Sequence, residues 1–309
     1  GAGARTPFVL RRLVRGVLTV RGVLTIAFCI LRLQGSPAYA MLPNGTPEDI
    51  ADLNHALGFD RSLPSQYFNF LLNVLQLDLG ESLQLPGTPA LEVVLDRIPA
   101  TLELASAGFA LGLILGLLIA VVIQLTGSRR LRNTMIWLGV ARQATPTFLF
   151  GVLLVIIFSV KLGWLPSLGR GGFEHLILPT VTLATFEVTL YMRLIDSSLG
   201  EQQELDYVRT AYAKGQRRPV VILRHMLPNA LLPAVTVAGL NFGALLGGAV
   251  IVENVFNWPG VGQLMIQSVS ARDYPVVQAT LIVVAVFFVL VNIVVDLLYA
   301  VLDPRVRLA

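Results

Sequence analysis

Apolar residues in this chain are gathered in separate runs of about twenty, divided by short polar segments. Wound as an α-helix, a run of that length crosses the roughly 30 Å of hydrocarbon in a bilayer. Strands of a membrane barrel would be shorter and would alternate apolar with polar residues. The pattern predicts six spans, near Phe8–Leu31, Ile98–Leu125, Thr134–Val160, Leu176–Leu194, Ala230–Ile251 and Val276–Val301.

The composition supports the same class. Of the 309 residues, 55% are hydrophobic and 14% are charged, whereas charged residues make up about a quarter of an ordinary soluble domain. The single cysteine, Cys29, lies in an apolar run, so the sequence has neither a disulfide framework nor a cysteine metal motif. We therefore predict an all-α polytopic membrane protein in contact with membrane lipid.

Basic residues are distributed unevenly between the two sets of connecting segments. The richer set holds Arg5, Arg11, Arg12, Arg15, Arg129, Arg130, Arg132, Arg209, Lys214, Arg217, Arg218, Arg224, Arg305 and Arg307. The poorer set holds Arg32, Arg61, Arg97, Lys161, Arg170 and Arg272. Because Lys- and Arg-rich loops stay inside, both termini are predicted to be cytoplasmic. Basic residues in short clusters beside the spans act as signals for the orientation of the protein in the membrane. This distribution argues against nucleic-acid binding.

The first span has a rival interpretation. A basic start, the apolar run Gly22–Leu31 and the sequence Ala38-Tyr39-Ala40 together resemble a secretory signal with its cleavage site. Removing it would leave five spans, with the termini on opposite sides of the membrane. We therefore interpret it as a span, in which Arg21 is expected to face protein or water because a lipid-facing charge is costly.

The segment after the first span is long and contains helix signals. Thr46 is a candidate N-cap, Pro47 fits the first helical position, and Gly58 fits the end of a short amphipathic helix. We expect three regions: a first transmembrane helix at residues 1–33, an extracytoplasmic loop subdomain at 34–97, and a five-helix core at 98–309. Within the core, a cytoplasmic helix lies at about 201–228 and an extracytoplasmic loop at about 257–275.

Two spans carry glycines spaced four residues apart: Gly108, Gly112 and Gly116 in one, and Gly239, Gly243 and Gly247 in the other. Such stripes allow helix backbones to approach closely. Simple close packing and a moving helix interface are both open interpretations.

Several polar residues fall within or near the spans. The candidates for a translocation pathway or its gates are Glu103, Arg142, Glu187, Asn241 and Glu253. Charges at membrane depth face the bundle interior or water, but ion pairs that fix helix register would satisfy the same constraint. The sequence has no GxxxxGK[ST] loop, so it lacks the motif that would cradle nucleotide phosphates.

The polar segment between the fourth and fifth predicted spans has the pattern of a short helix docked outside the membrane. It is interrupted by Gly215 and closed by Pro228. Small residues at Ala211 and Ala213 would allow close approach to a groove in a partner. A surface helix that merely carries positive-inside charges is the alternative.

This segment resembles the EAA loop of ABC-importer permeases. Gly215, Leu227 and Pro228 fall at the spacing of that motif, whereas Arg209, Thr210 and His225 replace three of its residues. The peptide branch of the family reads close to Tyr-Val-Arg-Thr-Ala-x-Ala-Lys-Gly, which matches Tyr207–Gly215. The resemblance assigns ATPase coupling to Tyr207, Arg209, Thr210, Ala211, Ala213, Lys214, Gly215, Leu227 and Pro228.

The resemblance to dipeptide and oligopeptide permeases covers nearly the whole chain. It includes the stretches Pro99–Leu104, Phe256–Gly262 and Arg272–Gln278. It implies the six-helix type I ABC-importer permease fold in a bacterial inner (plasma) membrane. It also implies a heterodimer with a second homologous permease, two cytoplasmic ATPase domains that hold ATP and Mg²⁺, and an extracytoplasmic substrate-binding protein. The chain itself would hold no cofactor or metal and would catalyse nothing.

Cargo is left open by the sequence. Dipeptides or oligopeptides are the main expectation, with a nickel complex, glutathione or haem as alternatives, and a proton-coupled secondary transporter as an alternative outside the class. Aromatic, proline and glycine residues suit a rigid contact with the binding protein. The candidates for that contact are Trp258, Pro259, Gly260, Arg272, Asp273 and Tyr274.

Overall fold

The structure of the protein is a computed structural model, and it describes residues 5–33, 36, 38–42, 44–56 and 58–302. Within these residues the chain is helical, and no strand is present. The elements are α1 (Arg5–Leu33), α2 (Ala38–Met41), α3 (Pro47–Ala56), α4 (Leu63–Leu75), α5 (Ala90–Leu95), α6 (Ile98–Thr126), α7 (Arg129–Ala144), α8 (Thr147–Leu154) with a π-helical turn (Val155–Lys161), α9 (Phe173–Gln203), α10 (Asp206–Ala213), α11 (Arg218–Val220) with a π-helical turn (Val221–Met226), α12 (Leu227–Val255), α13 (Val261–Ser270) and α14 (Tyr274–Leu302). The all-α fold class is confirmed.

In the part of the chain that the structure describes, four stretches of helix are long and apolar enough to cross a membrane. They are Ala90–Thr126, Phe173–Gln203, Arg218–Gly243 and Tyr274–Val294. These stretches coincide with the second, fourth, fifth and sixth predicted spans. In α1 the apolar helix is shorter, Gly16–Ile30. The count of six spans and the cytoplasmic placement of the termini stay predictions, and residues 303–309 lie outside the described residues.

The third predicted span is not one straight helix, which corrects the continuous span expected over Thr134–Val160. α7 and the helix Thr147–Lys161 are bent by 104° at the break between them. Thr145 is extended, with ψ 123°, and Pro146 has ψ 136°. A proline disfavours the α conformation of the residue before it, so the chain leaves the helix at Thr145.

By its internal contacts the chain divides into two compact units. One contains Gly1–Pro99 with Gln263–Ile293, and the other contains Ala100–Gly262 with Val294–Ala309. The first unit is built where α1 meets α4: the ring centroids of Phe28 and Tyr67 are 5.2 Å apart. The three-region division drawn from the sequence stays a prediction.

In the first unit, α3 begins as its sequence predicts. The Asp49 backbone N–H donates to Thr46 Oγ1 at 3.2 Å, and the Thr46 backbone N–H donates to Asp49 Oδ2 at 2.8 Å. This reciprocal pair is a capping box, which satisfies two donors at the helix start. After α3 ends, Gly58 takes φ +71°, a conformation that glycine adopts without strain. Arg21 of α1 is exposed.

In the second unit, α6 and α9 make close backbone contact along the first glycine stripe. A Cβ added at Gly112 would lie 2.7 Å from Glu187 Cβ, and one added at Gly116 would lie 2.8 Å from Tyr191 Cβ. Close packing is therefore confirmed for this stripe. α9 also packs against α7, α8 and α12, so it is the central helix of the unit.

Candidate functional site

The segment predicted to hold a cytoplasmic helix, at about 201–228, contains α10, and the glycine that the sequence indicates follows the end of this helix. The Gly215 backbone N–H donates to Tyr212 O at 2.9 Å, and Gly215 has φ +76°. A non-glycine residue is strained in this left-handed region, even though a Cβ here would meet no atom within 4 Å. Gly215 therefore marks the turn between α10 and α11.

The two faces of α10 have different surroundings. Val208 and Ala211, three residues apart and so on one face, are 1% and 6% exposed, and they pack in a cluster with Val221, Ile222 and Met226. The other side of the helix is open: Tyr207, Arg209, Thr210, Tyr212, Ala213 and Lys214 are exposed. This corrects the expectation that both alanines face a partner groove, because Ala211 is buried against its own chain and only Ala213 is free.

Hydrogen bonds join α10 to the helices on both sides of it. Tyr207 Oη donates to Gln202 Oε1 of α9 at 2.6 Å, and Asn229 Nδ2 of α12 donates to Tyr207 Oη at 3.4 Å. At the start of α12, Leu227 is half-buried and Pro228 is exposed. Tyr207 thus links α10 to the end of α9 and to the start of α12.

Glu253, a predicted pathway residue, is fully buried at the end of α12. Thr101 Oγ1 donates to Glu253 Oε1 at 2.6 Å and accepts from the Val261 backbone N–H at 2.8 Å. A Cβ at Gly260 would collide with the Glu253 carboxylate. The carboxylate thus holds the loop after α12 against the start of α6.

Arg142 is buried beside the bend between α7 and α8. Its Nε donates to Thr185 Oγ1 at 2.9 Å, its Nη1 to Thr145 O at 3.1 Å and its Nη2 to Thr182 O at 3.0 Å. The guanidinium also lies 4.2 Å from the centroid of the Phe150 ring. Arg142 therefore attaches the bend between α7 and α8 to α9 by hydrogen bonds.

Glu187 is placed differently, because one of its two carboxylate oxygens has no hydrogen-bond partner of good geometry. It is 6% exposed, on the face of α9 that meets α6, with Tyr191 and Asn241 as polar neighbours. Among the described residues, Glu187 Oε2 and Tyr191 Oη are buried without a hydrogen-bond partner of good geometry. Asn241 is half-buried on α12. Buried polar atoms left in this way are uncommon in folded proteins, so Glu187 and Tyr191, together with Thr180, stand out among the buried polar residues of the unit.

Glu103 lies at the surface, where it pairs with a residue of a loop. Arg170 Nη2 is 2.7 Å from Glu103 Oε2, and both side chains are about two-fifths exposed, 41% and 40%. The Arg170 guanidinium lies 5.9 Å from the Trp258 ring centroid. Of the five pathway candidates, only Glu103 makes an exposed ion pair.

Two candidates for contact with a binding protein are buried, which corrects the exposure expected of them. Trp258 is 1% exposed, and its Nε1 donates to Ala100 O at 2.8 Å. Asp273 is 2% exposed and accepts from Ser82 Oγ at 2.5 Å. In both residues, polar atoms of the side chain have hydrogen-bond partners inside the protein. Among the others, Gly260 is buried, Pro259 and Tyr274 are half-buried, and Arg272 is exposed.

Sequence reasoning missed the partners of these groups. Thr101 and Ser82 are single hydroxyl residues with no motif spacing to their acids, which lie 152 and 191 positions away along the chain. For Thr101, the one available signal was its place in the stretch Pro99–Leu104, which resembles the family.

Comparison with known proteins gives consistent matches along the chain. Residues 108–308 match the family model described as binding-protein-dependent transport system inner membrane component, and residues 6–105 match the model for the N-terminal part of such membrane components. A glutathione transport system permease protein GsiC of Pectobacterium atrosepticum is 39% identical over 304 residues, covering 97% of this chain and 98% of that protein. The protein of the same name from Escherichia coli K12 is 36% identical over 302 residues, with the same coverage.

Solved structures give a likeness of fold. A chain from inward-facing conformations of the MetNI methionine ABC transporter superposes with TM-score 0.54 at 18% identity, covering 68% of this chain and 96% of that chain. A chain from an amino acid ABC transporter crystallised with histidines gives TM-score 0.51 at 17% identity, covering 69% and 94%.

Proposed function

We propose that this chain, which belongs to the family of binding-protein-dependent transport system inner membrane components, forms half of the translocation pathway of an importer for short peptides. As a member of that family, it is a multi-pass inner-membrane permease of an ABC importer, and it works with an ATPase and a substrate-binding protein. The peptide cargo, the pairing with a second permease and the roles of single residues are the proposed parts.

The observation that carries the proposal is the exposed face of α10. The sequence has no nucleotide-binding loop of the GxxxxGK[ST] type, so energy from ATP must reach the spans through contact with another polypeptide. α10 offers Tyr207, Arg209 and Ala213 to such a partner, while its inner face is held by the spans. We assign ATP and Mg²⁺ to two ATPase domains on partner chains that dock on this face.

Transport then proceeds by alternating access. A ligand shifts a conformational equilibrium only by its differential affinity for the two states. ATP supplies that difference on the ATPase domains, and α10 passes their movement to α9 and α12. We place the moving part of the pathway at Glu187, Tyr191 and Asn241, because the two buried groups and half-buried Asn241 can gain partners when the helices separate. Arg142 and Glu253 are assigned to fixed joints instead, since their hydrogen bonds are already made.

The names of the relatives favour one particular cargo. The relatives at 36–39% identity, aligned over nearly their full length, are named as glutathione transport permeases. Glutathione is itself a short peptide, so it is a special case of the proposed class. We keep short peptides as the proposed cargo class, and glutathione is the specific candidate within it that the relatives' names support.

Purification of the chain from its own cells tests the proposal. We expect a second permease and ATPase subunits to co-purify, and proteoliposomes of the complex to import a peptide only with ATP and the binding protein. Competition between a dipeptide and glutathione ranks the two cargos. A chain that is isolated alone and that takes up substrate along a proton gradient would instead be a secondary transporter.

A further inference from the structure

An ion pair of ideal fork geometry joins two helices next to α10 and α11, which together with the turn between them (residues 206–220) are called the coupling segment here. Arg132 Nε of α7 donates to Asp196 Oδ2 of α9 at 2.8 Å, and Arg132 Nη2 donates to Asp196 Oδ1 at 3.0 Å. The two side chains are 39% and 13% exposed, so the carboxylate is largely removed from water. Bidentate pairs of this kind fix direction as well as distance.

The same carboxylate is tied to a third helix and, through it, to the segment after α10. Gln124 Nε2 at the end of α6 donates to Asp196 Oδ1 at 2.9 Å. The Gln124 carbonyl accepts from Arg218 Nη2 at 2.8 Å, and its side-chain oxygen accepts from Gln203 Nε2 at 2.6 Å. An unbroken set of hydrogen bonds thus runs from α11 through Gln124 to Asp196 and Arg132.

Apart from the two hydrogen bonds of exposed Tyr207, the contacts of α10 differ in kind from this set. Val208 and Ala211 meet the spans through apolar packing, which is non-directional and tolerates sliding. The polar set has fixed donors and acceptors, so α6, α7 and α9 must keep their register while the coupling segment moves. Without these hydrogen bonds, a displacement of α10 and α11 could be absorbed by sliding where Val208 and Ala211 pack against the spans.

We infer that Asp196 is a positioning residue for energy coupling: it locks α6, α7 and α9 to the coupling segment, so that the ATPase moves them as one body. This inference rests on the proposed function. It concerns how movement is passed on within the chain, and docking of the ATPase on α10 is a separate step.

The test uses the complete transporter in proteoliposomes and measures ATP hydrolysed per substrate molecule imported. Asp196→Asn keeps the size of the side chain and removes its charge. Arg132→Asp and Asp196→Arg reverse each partner singly, and the double variant swaps them. We expect each single variant to raise the ratio at least about fivefold, the lower end of coupling free energies between sites, and the swap to lower it again toward the unmodified value. ATPase subunits should co-purify in every case.

Two further variants provide an intermediate case and a matched control. Arg132→Lys retains the charge but loses the fork, so its ratio should lie between those of the unmodified complex and Asp196→Asn. Asp60→Asn removes a carboxylate from an exposed pair with His55 in the other unit and should leave the ratio unchanged. An unchanged ratio in Asp196→Asn would overturn the inference, and so would an assembled swap variant whose ratio is as high as those of both single variants. Failure of the proposed function would appear earlier, as uptake by the unmodified complex that needs no ATP.

Discussion

Thr101 and Glu253 meet in the interior of the second unit, where the Thr101 hydroxyl donates a 2.6 Å hydrogen bond to a carboxylate with no exposed surface. The same hydroxyl accepts from the backbone of Val261. One threonine thus joins the start of α6, the end of α12 and the loop that follows it. A hydroxyl can donate one hydrogen bond while it accepts another, so one small side chain is enough to join these three segments.

Replacing Thr101 by valine should destabilise this joint. Valine has nearly the same shape but offers neither the donor nor the acceptor, so the buried carboxylate and the Val261 N–H each lose a partner. We expect a loss of about 2 kcal/mol. Thermal unfolding of the purified permease, followed by tryptophan fluorescence, measures it. Thr101→Ser, which keeps the hydroxyl, is the matched control, and equal stabilities for the two variants would contradict this role.

Replacing Gly112 by alanine should push α6 away from α9. The added Cβ would lie 2.7 Å from Glu187 Cβ, which is closer than packed carbon atoms tolerate. We expect overpacking to cost about 1–3 kcal/mol and to lower the unfolding temperature. Gly200→Ala, on α9, is the control because a Cβ there meets nothing within 4 Å. If Gly112→Ala is as stable as Gly200→Ala, the glycine stripe does not set the distance between the helices.

The two alanines of α10 should respond differently to aspartate. Ala211→Asp buries a carboxylate in the cluster around Ile222, which should cost about 2 kcal/mol or more and loosen α10. Ala213→Asp is exposed, so it should leave the helix folded and weaken only the retention of ATPase subunits. Hydrogen exchange over residues 206–213 separates the two effects from co-purification. Loss of protection in both variants, or in neither, would mean that the two faces of α10 are not distinct.

Gly215→Trp tests the turn that follows α10. At φ +76° a side chain carries a backbone cost of about 1 to 2 kcal/mol, although the space around it is open. We expect the variant to insert in the membrane and either to lose its ATPase subunits or to hydrolyse ATP without transport. Import at the normal rate would show that energy enters elsewhere.

The start of α3 should weaken in acid. Hydrogen bonds from the Thr46 side chain and backbone lower the pKa of Asp49 below its ordinary value of 3.8. A carboxylate with a lowered folded-state pKa stabilises the fold fully above the unfolded pKa, and that stabilisation is lost as the pH falls through the lowered value. The protection of amides 47–56 against exchange, taken relative to their intrinsic exchange rates at each pH, should therefore fall below about pH 4. In Asp49→Asn this step should be absent, while Asp52→Asn should retain it.

Local features of this protein could be predicted from its sequence. Apolar runs gave the positions of four spans, because a helix that crosses lipid must carry a long apolar stretch whatever its neighbours are. Thr46 and Gly58 bound α3, and Gly215 ends the turn after α10, because capping and left-handed turns depend on dihedral preferences within a few residues. The family was also recognisable from such short stretches.

Only the tertiary structure decided which side of each element is covered. Ala211 and Ala213 are two positions apart with the same side chain, yet one is buried and the other free, because Ile222 and Met226 pack against a single face of α10. Trp258 and Asp273 have the composition of a contact surface, but their hydrogen-bond partners come from distant segments and draw them inside. Arg132 and Asp196 are 64 residues apart, and no pattern along the chain joins them. Periodicity and turn preference are local properties, whereas burial and pairing depend on which distant helix arrives at the same place.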